Sequence, residues 1–147
     1  GVLVKNLRNY FGSSLEINGY DPCVAEYDIP YSPADIVTCF DVLEHIEPDK
    51  INDVLDDISK NTKGIFICII DLLPAQKKLV DGRNAHLLLA PPGWWLDRLS
   101  QTFKTGSYFL YENGNLNKKI CYVATNRLGF SMLSAEIFAK IFFDDSL

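Results

Sequence analysis

The apolar positions of the chain change period several times, and each change marks an element. Leu3, Leu7, Tyr10 and Phe11 fall at i, i+4, i+7 and i+8, which predicts a helix over residues 2–11. Gly12 stops it. Residues 15–20 alternate apolar and polar and predict a strand that ends at Asp21-Pro22. Residues 25–28 read as a short strand, followed by a loop containing Pro30 and Pro33. Residues 34–40, rich in β-branched side chains, predict a buried strand.

The clearest amphipathic pattern comes next. Ile51, Val54, Leu55 and Ile58 share one face, while Asp49, Asn52, Asp53, Asp56 and Asp57 take the rest, with Glu47-Pro48 opening the helix. Residues 65–70 predict a second buried strand, and residues 71–90 are irregular. Pro91-Pro92-Gly93 opens a helix carrying Trp94, Trp95, Leu96, Leu99 and Phe103. Residues 107–112 and 119–124 predict a hairpin through Asn113-Gly114-Asn115. A last helix is expected over 132–143, with Leu133, Ile137, Phe138, Ile141 and Phe142 inward. This order predicts one α/β domain with a mostly parallel sheet, an antiparallel C-terminal hairpin and helices on both faces. Ligands of such sheets bind at the carboxyl ends of strands, which selects Asp21, Asp28, Asp41 and Asp71.

Composition narrows the function classes. Lys+Arg 14 against Asp+Glu 19 gives a net charge of −5, which argues against a domain devoted to gripping a nucleic-acid backbone. The local basic groups, Lys77, Lys78 and Arg83, then Lys118 and Lys119, read as solvated surface. No apolar run reaches the roughly 18 residues of a membrane span. The four cysteines, Cys23, Cys39, Cys68 and Cys121, form no C-x-x-C pair and sit among apolar residues. They read as buried reduced thiols of a cytoplasmic protein. His45 and His86 are too far apart in sequence to suggest a metal motif, so no metal site is expected.

Three segments carry a resemblance: Gly19-Tyr20-Asp21-Pro22, Tyr27-Asp28-Ile29-Pro30, and residues 34–46. The most specific is Phe40-Asp41-Val42-Leu43-Glu44-His45-Ile46. Together they resemble class I S-adenosylmethionine-dependent methyltransferases over residues 1–125, with 126–147 as a C-terminal extension. The resemblance implies a Rossmann-like fold and S-adenosylmethionine as cofactor. It places Asp21 on the ribose hydroxyls, with capping of the turn before Pro22 as the alternative. Asp28 and Ile29 fall to the adenine, with a plain turn Asp as the alternative. Phe40 and Asp41 line the methionine end, Asp41 alternatively capping the turn that follows. His45 belongs to scaffolding beside the cofactor. His86 is the leading catalytic or substrate-facing group, alternatively a packing or surface histidine, with Tyr31 behind it as a base. One of Trp94 and Trp95 faces the core and the other is free to wall a substrate pocket.

The family's D-x-G-x-G-x-G turn does not occur in this chain. Asp21 follows Gly1 by about the usual gap of roughly 20 residues between that turn and the ribose-binding acid. The expectation is therefore an N-terminally truncated relative, with Gly1 at the last glycine of the motif and the first strand missing. Cofactor binding by this chain is then expected to be weak or absent, and open sheet edges are expected to drive self-association. The acceptor is expected to be a small molecule, because short loops leave little room for a substrate domain; no nucleic-acid or membrane partner is expected. Two alternatives stand beside this reading. One is a non-catalytic methyltransferase-like interaction module. The other is a different nucleotide-binding α/β enzyme, such as a nicotinamide-dependent reductase, whose Tyr-x-x-x-Lys pair is not found in the sequence.

Overall fold

The computed structural model of the protein describes residues 2–113 and 117–126. Gly1, residues 114–116 and the expected helix over 132–143 lie outside the described residues. The chain divides into two compact units, Gly1–Ser32 and Pro33–Leu147. No helix among the described residues is long and apolar enough to cross a membrane.

In the first unit, α1 spans Val2–Phe11, as the periodicity predicts. Gly12 adopts φ +57°, the left-handed conformation that ends a helix without a Cβ clash. The expected strand over 15–20 does not form. Alternation makes a strand only if a neighbour completes the ladder, and none of the described residues pairs with this segment. Instead, the Arg8 guanidinium donates twice to the Ile17 carbonyl, at 2.8 and 2.6 Å. The expected strand over 25–28 is also absent. The Val24 carbonyl accepts from the amides of Tyr27 (2.7 Å) and Asp28 (2.9 Å), which curls this segment into turns.

The second unit is built on a four-stranded sheet in the order β1-β2-β4-β3. The strands are β1 (Ala34–Phe40), β2 (Thr62–Asp71), β3 (Thr105–Asn113) and β4 (Asn117–Thr125). β1 and β2 run parallel, joined through α2 (Ile51–Asn61). β4 pairs antiparallel with both β2 and β3. The α/β class and the antiparallel hairpin are present. The parallel share is smaller than expected, one pairing of three, because residues 15–20 and 25–28 add no strands.

α2 starts at Ile51 rather than at Pro48: residues 48–50 form a turn, closed by the Lys50 amide on the Glu47 carbonyl at 2.9 Å. α3 spans Pro92–Thr102, with Pro92 in the first turn, where its missing N–H costs nothing.

Both α2 and α3 lie on one face of the sheet. Ile51 and Leu55 from α2, Trp95 and Leu99 from α3, Phe66, Cys68 and Ile70 from β2, and Ile120, Tyr122 and Ala124 from β4 make the main core. Phe66 and Phe103 stack within it at 4.9 Å. On the other face Ile67 and Val123 form a smaller cluster with Phe40 and Ile65. Trp95 is the tryptophan in the core. Trp94 is half-buried and carries the Arg98 guanidinium 3.4 Å from its ring centroid, a cation–π contact rather than a bare pocket wall.

β1 corrects another expectation. It is mostly exposed, with Ile36 at 51%, because it sits at one edge of the described sheet rather than inside it. Its apolar composition suits a parallel strand, but composition does not reveal how many neighbours a strand has. Gly64 sits where β2 passes β1 most closely: a Cβ there would collide with the Asp35 carbonyl oxygen, next to the register shift between Ala34 and Ile36. Gly64→Ala is therefore expected to destabilise the sheet unit by about 1–3 kcal/mol in a denaturant melt. A melt unchanged from the wild type would show that the strands can part at no cost.

Candidate functional site at the strand ends

Because β1 and β2 are parallel neighbours, their carboxyl ends open side by side. The Asp41 amide closes the pairing by donating to the Ile69 carbonyl at 2.9 Å. Asp41 itself has φ +52°, a left-handed conformation that Asp tolerates better than most side chains. That reversal swings the chain into a 3-10 turn over Leu43–His45. The turn buries Leu43 and Glu44 completely.

Glu44 is the unusual member of this turn. Its Oε1 accepts from the Asp71 amide at 3.0 Å, and its own carbonyl accepts from the Leu88 amide at 2.9 Å. Burial pushes its carboxyl pKa upward, opposed by backbone hydrogen bonds from Glu44 and Asp71. Oε2 is buried and has no hydrogen-bond partner among the described residues.

The loop after β2 returns to the same turn. His45 Nδ1 donates to the Ala85 carbonyl at 2.8 Å, and His86 Nδ1 donates to the Leu73 carbonyl at 2.5 Å. A carbonyl can only accept, so Nδ1 carries a proton in both rings, and the neutral form of each imidazole has its lone pair at Nε2. The two rings stand edge to face, with centroids 4.8 Å apart. Asn84 holds the loop closed: its Oδ1 accepts from the amides of Ala75 (3.0 Å) and His86 (2.9 Å), and its Nδ2 donates to the Ala75 carbonyl (2.9 Å). Lys119 reaches the strand ends from β4, donating to Asp41 Oδ1 at 2.7 Å and lying 3.9 Å from Asp71 Oδ2.

The residues singled out in the sequence therefore fall into separate places. Asp21, Asp28 and Ile29 belong to the first unit. Asp21 Oδ1 accepts from the Cys23 amide at 2.9 Å, and the Asp21 carbonyl accepts from Val24 at 3.1 Å, the turn-capping geometry given above as the alternative. Asp28 and Ile29 are exposed. Phe40, Asp41 and His86 belong to the second unit, at the carboxyl ends of its parallel strands and in the loop that follows. Gly1 lies outside the described residues.

Three features escaped the sequence. His45 and His86 were set aside as too distant, yet the loop brings their rings together. Glu44 shows in the sequence only as an acidic residue between Leu43 and His45, with nothing in the pattern to mark it as buried. Lys119, read as solvated surface, is the cation that joins two strand-end carboxylates.

The chain matches no protein-family profile and no curated protein. Among solved structures it is similar to a "DhpI-SAH complex structure", at 16% identity and a TM-score of 0.46, over 66% of this chain and 52% of that one. The chain thus spans about half the length of that structure.

The cysteines differ more than their apolar surroundings suggest. All four are free thiols, and Cys23 is exposed rather than buried. Burial pushes the Cys39 and Cys121 thiols up to about 12, and the fully buried Cys68 thiol well above its ordinary value. At pH 8 with a chromogenic disulfide reagent, Cys23 is expected to react rapidly, half-buried Cys39 more slowly, and buried Cys68 and Cys121 only as fast as the protein opens. Rapid reaction of Cys68 or Cys121 in the folded chain would contradict this placement.

Proposed function

We propose that this chain is a methyltransferase-like domain that serves methyl transfer from S-adenosylmethionine to a small-molecule acceptor and itself holds the cofactor only weakly. One observation carries the reading. The most specific stretch of the resemblance, Phe40 to Ile46, lies at the carboxyl end of parallel β1, beside the end of β2. That is where open α/β sheets take their ligands.

The strand-end charges fit the group. The methionine end of the cofactor carries an ammonium and a carboxylate, and Asp41, Asp71 and Lys119 offer partners of both signs. Phe40 supplies apolar surface beside them. The resemblance gives Asp21 the ribose hydroxyls and Asp28 with Ile29 the adenine, and matches Gly1 to the last glycine of the family's turn. His86 is our candidate for the group that faces the acceptor. When bound, the cofactor supplies an activated methyl group on sulfur. The chain's own task is alignment, and a proton acceptor is needed only where the acceptor atom must lose a proton.

The test is ligand-observed NMR, by saturation transfer from the chain to S-adenosylhomocysteine, which detects even millimolar binding. Transfer is expected, and it is expected to fall several-fold in Asp41→Asn, which keeps the tolerance for a left-handed backbone but loses the charge. Asp21→Ala is expected to weaken it as well. Folded protein that shows no transfer at millimolar ligand would favour the non-catalytic interaction module instead.

A further inference from the structure

The turn after β1 and the loop after β2 bring together three side chains with the chemistry of a metal site. Glu44, His45 and His86 each offer one ligand atom, and these atoms lie within 4.8 Å of one another. We propose that Glu44, His45 and His86 bind one divalent transition-metal ion of the zinc class. The proposal rests on the second unit alone and does not draw on the cofactor reading.

Three independent features support it. First, each imidazole is oriented by a hydrogen bond from Nδ1 to a backbone carbonyl, Ala85 for His45 and Leu73 for His86. That outer hydrogen bond fixes the tautomer and aims a basic Nε2 lone pair, as it does for metal-ligating histidines. Second, Glu44 is wholly buried, with Oε1 on the Asp71 amide and Oε2 without a partner among the described residues. A buried acceptor left unmatched is costly, and a cation between Glu44 and the two rings would satisfy it. Third, the donor set is selective. Two imidazoles and one carboxylate suit zinc and its neighbours, whereas magnesium and calcium favour all-oxygen shells.

Three protein ligands leave a fourth position open, and the partial exposure of His45 and His86 gives solvent access to it. Bonds of about 2.1 Å in a tetrahedron put ligand atoms roughly 3.4 Å apart, so binding draws the rings inward by about an ångström. In the metal-bound protein His86 is a ligand rather than a free base.

The experiment is a zinc titration of the chelator-stripped full chain, by competition with a chromogenic chelator. It is done in a Cys23→Ser background so that the exposed thiol cannot contribute. One zinc per chain is expected, with a rise in the thermal midpoint. His45→Gln and His86→Gln are each expected to weaken binding at least about tenfold. Glu44→Gln is expected to do the same; if it fails to fold, the two histidine variants decide. Cobalt substituted for zinc is expected to give visible d–d bands of a nitrogen and oxygen site without thiolate charge-transfer absorption. Less than one zinc per chain, affinity indifferent to both histidine changes, or a preference for magnesium over zinc would each overturn the proposal.

Discussion

A single buried carboxylate ties the strand ends of this protein together. Glu44 sits in the turn that leaves β1, receives the amide of Asp71 at the end of β2, and passes its own carbonyl to Leu88 in the loop beyond. These three points lie on separate segments. The Glu44 carboxylate bonds the turn after β1 directly to the end of β2, beside the Lys119 bridge from Asp41 to Asp71. A buried carboxylate is tolerated only when hydrogen bonds replace its lost hydration, and here the replacement is incomplete at Oε2. The strand ends thus meet around a buried polar atom with no partner among the described residues, an arrangement that adds little stability.

The histidines extend this logic. His45 follows Glu44 directly in the turn, and His86 lies in the loop that Asn84 pins to Ala75. Each ring spends its proton on a backbone carbonyl, so the turn and the loop are cross-linked by the same groups that keep their Nε2 lone pairs available. Lys119 balances Asp41 and Asp71 from β4, which leaves the mouth of the strand pair with both signs of charge. Partly exposed pairs of this kind contribute little to stability.

Much of this fold was legible in the sequence wherever a pattern reports a local constraint. The Ile51, Val54, Leu55, Ile58 stripe located α2 because helix burial repeats every 3.6 residues. The apolar runs located β1 and β2, and Asn113-Gly114 marked the hairpin. What was not legible depends on neighbours. Residues 15–20 alternate like a strand, but Arg8 rather than a second strand takes the Ile17 carbonyl. Residues 34–40 read as buried, but whether a strand is central or at an edge is decided by the sheet order. The site divides in the same way. Asp41 was visible from its place after a strand, and His86 from its loop. The meeting of His86 with His45 spans 41 residues and is produced by the loop closure at Asn84, which no spacing rule anticipates.

Under the proposed function, the carboxyl ends of β1 and β2 are where this chain meets its ligand. The most direct measurement is a backbone amide chemical-shift map of the labelled chain as S-adenosylhomocysteine is added. The account predicts that the largest changes fall on Phe40, Asp41 and Asp71, at the ends of these strands. Changes confined to the opposite ends of the strands, around Ala34 and Thr62, or to the hairpin of β3 and β4, would contradict it.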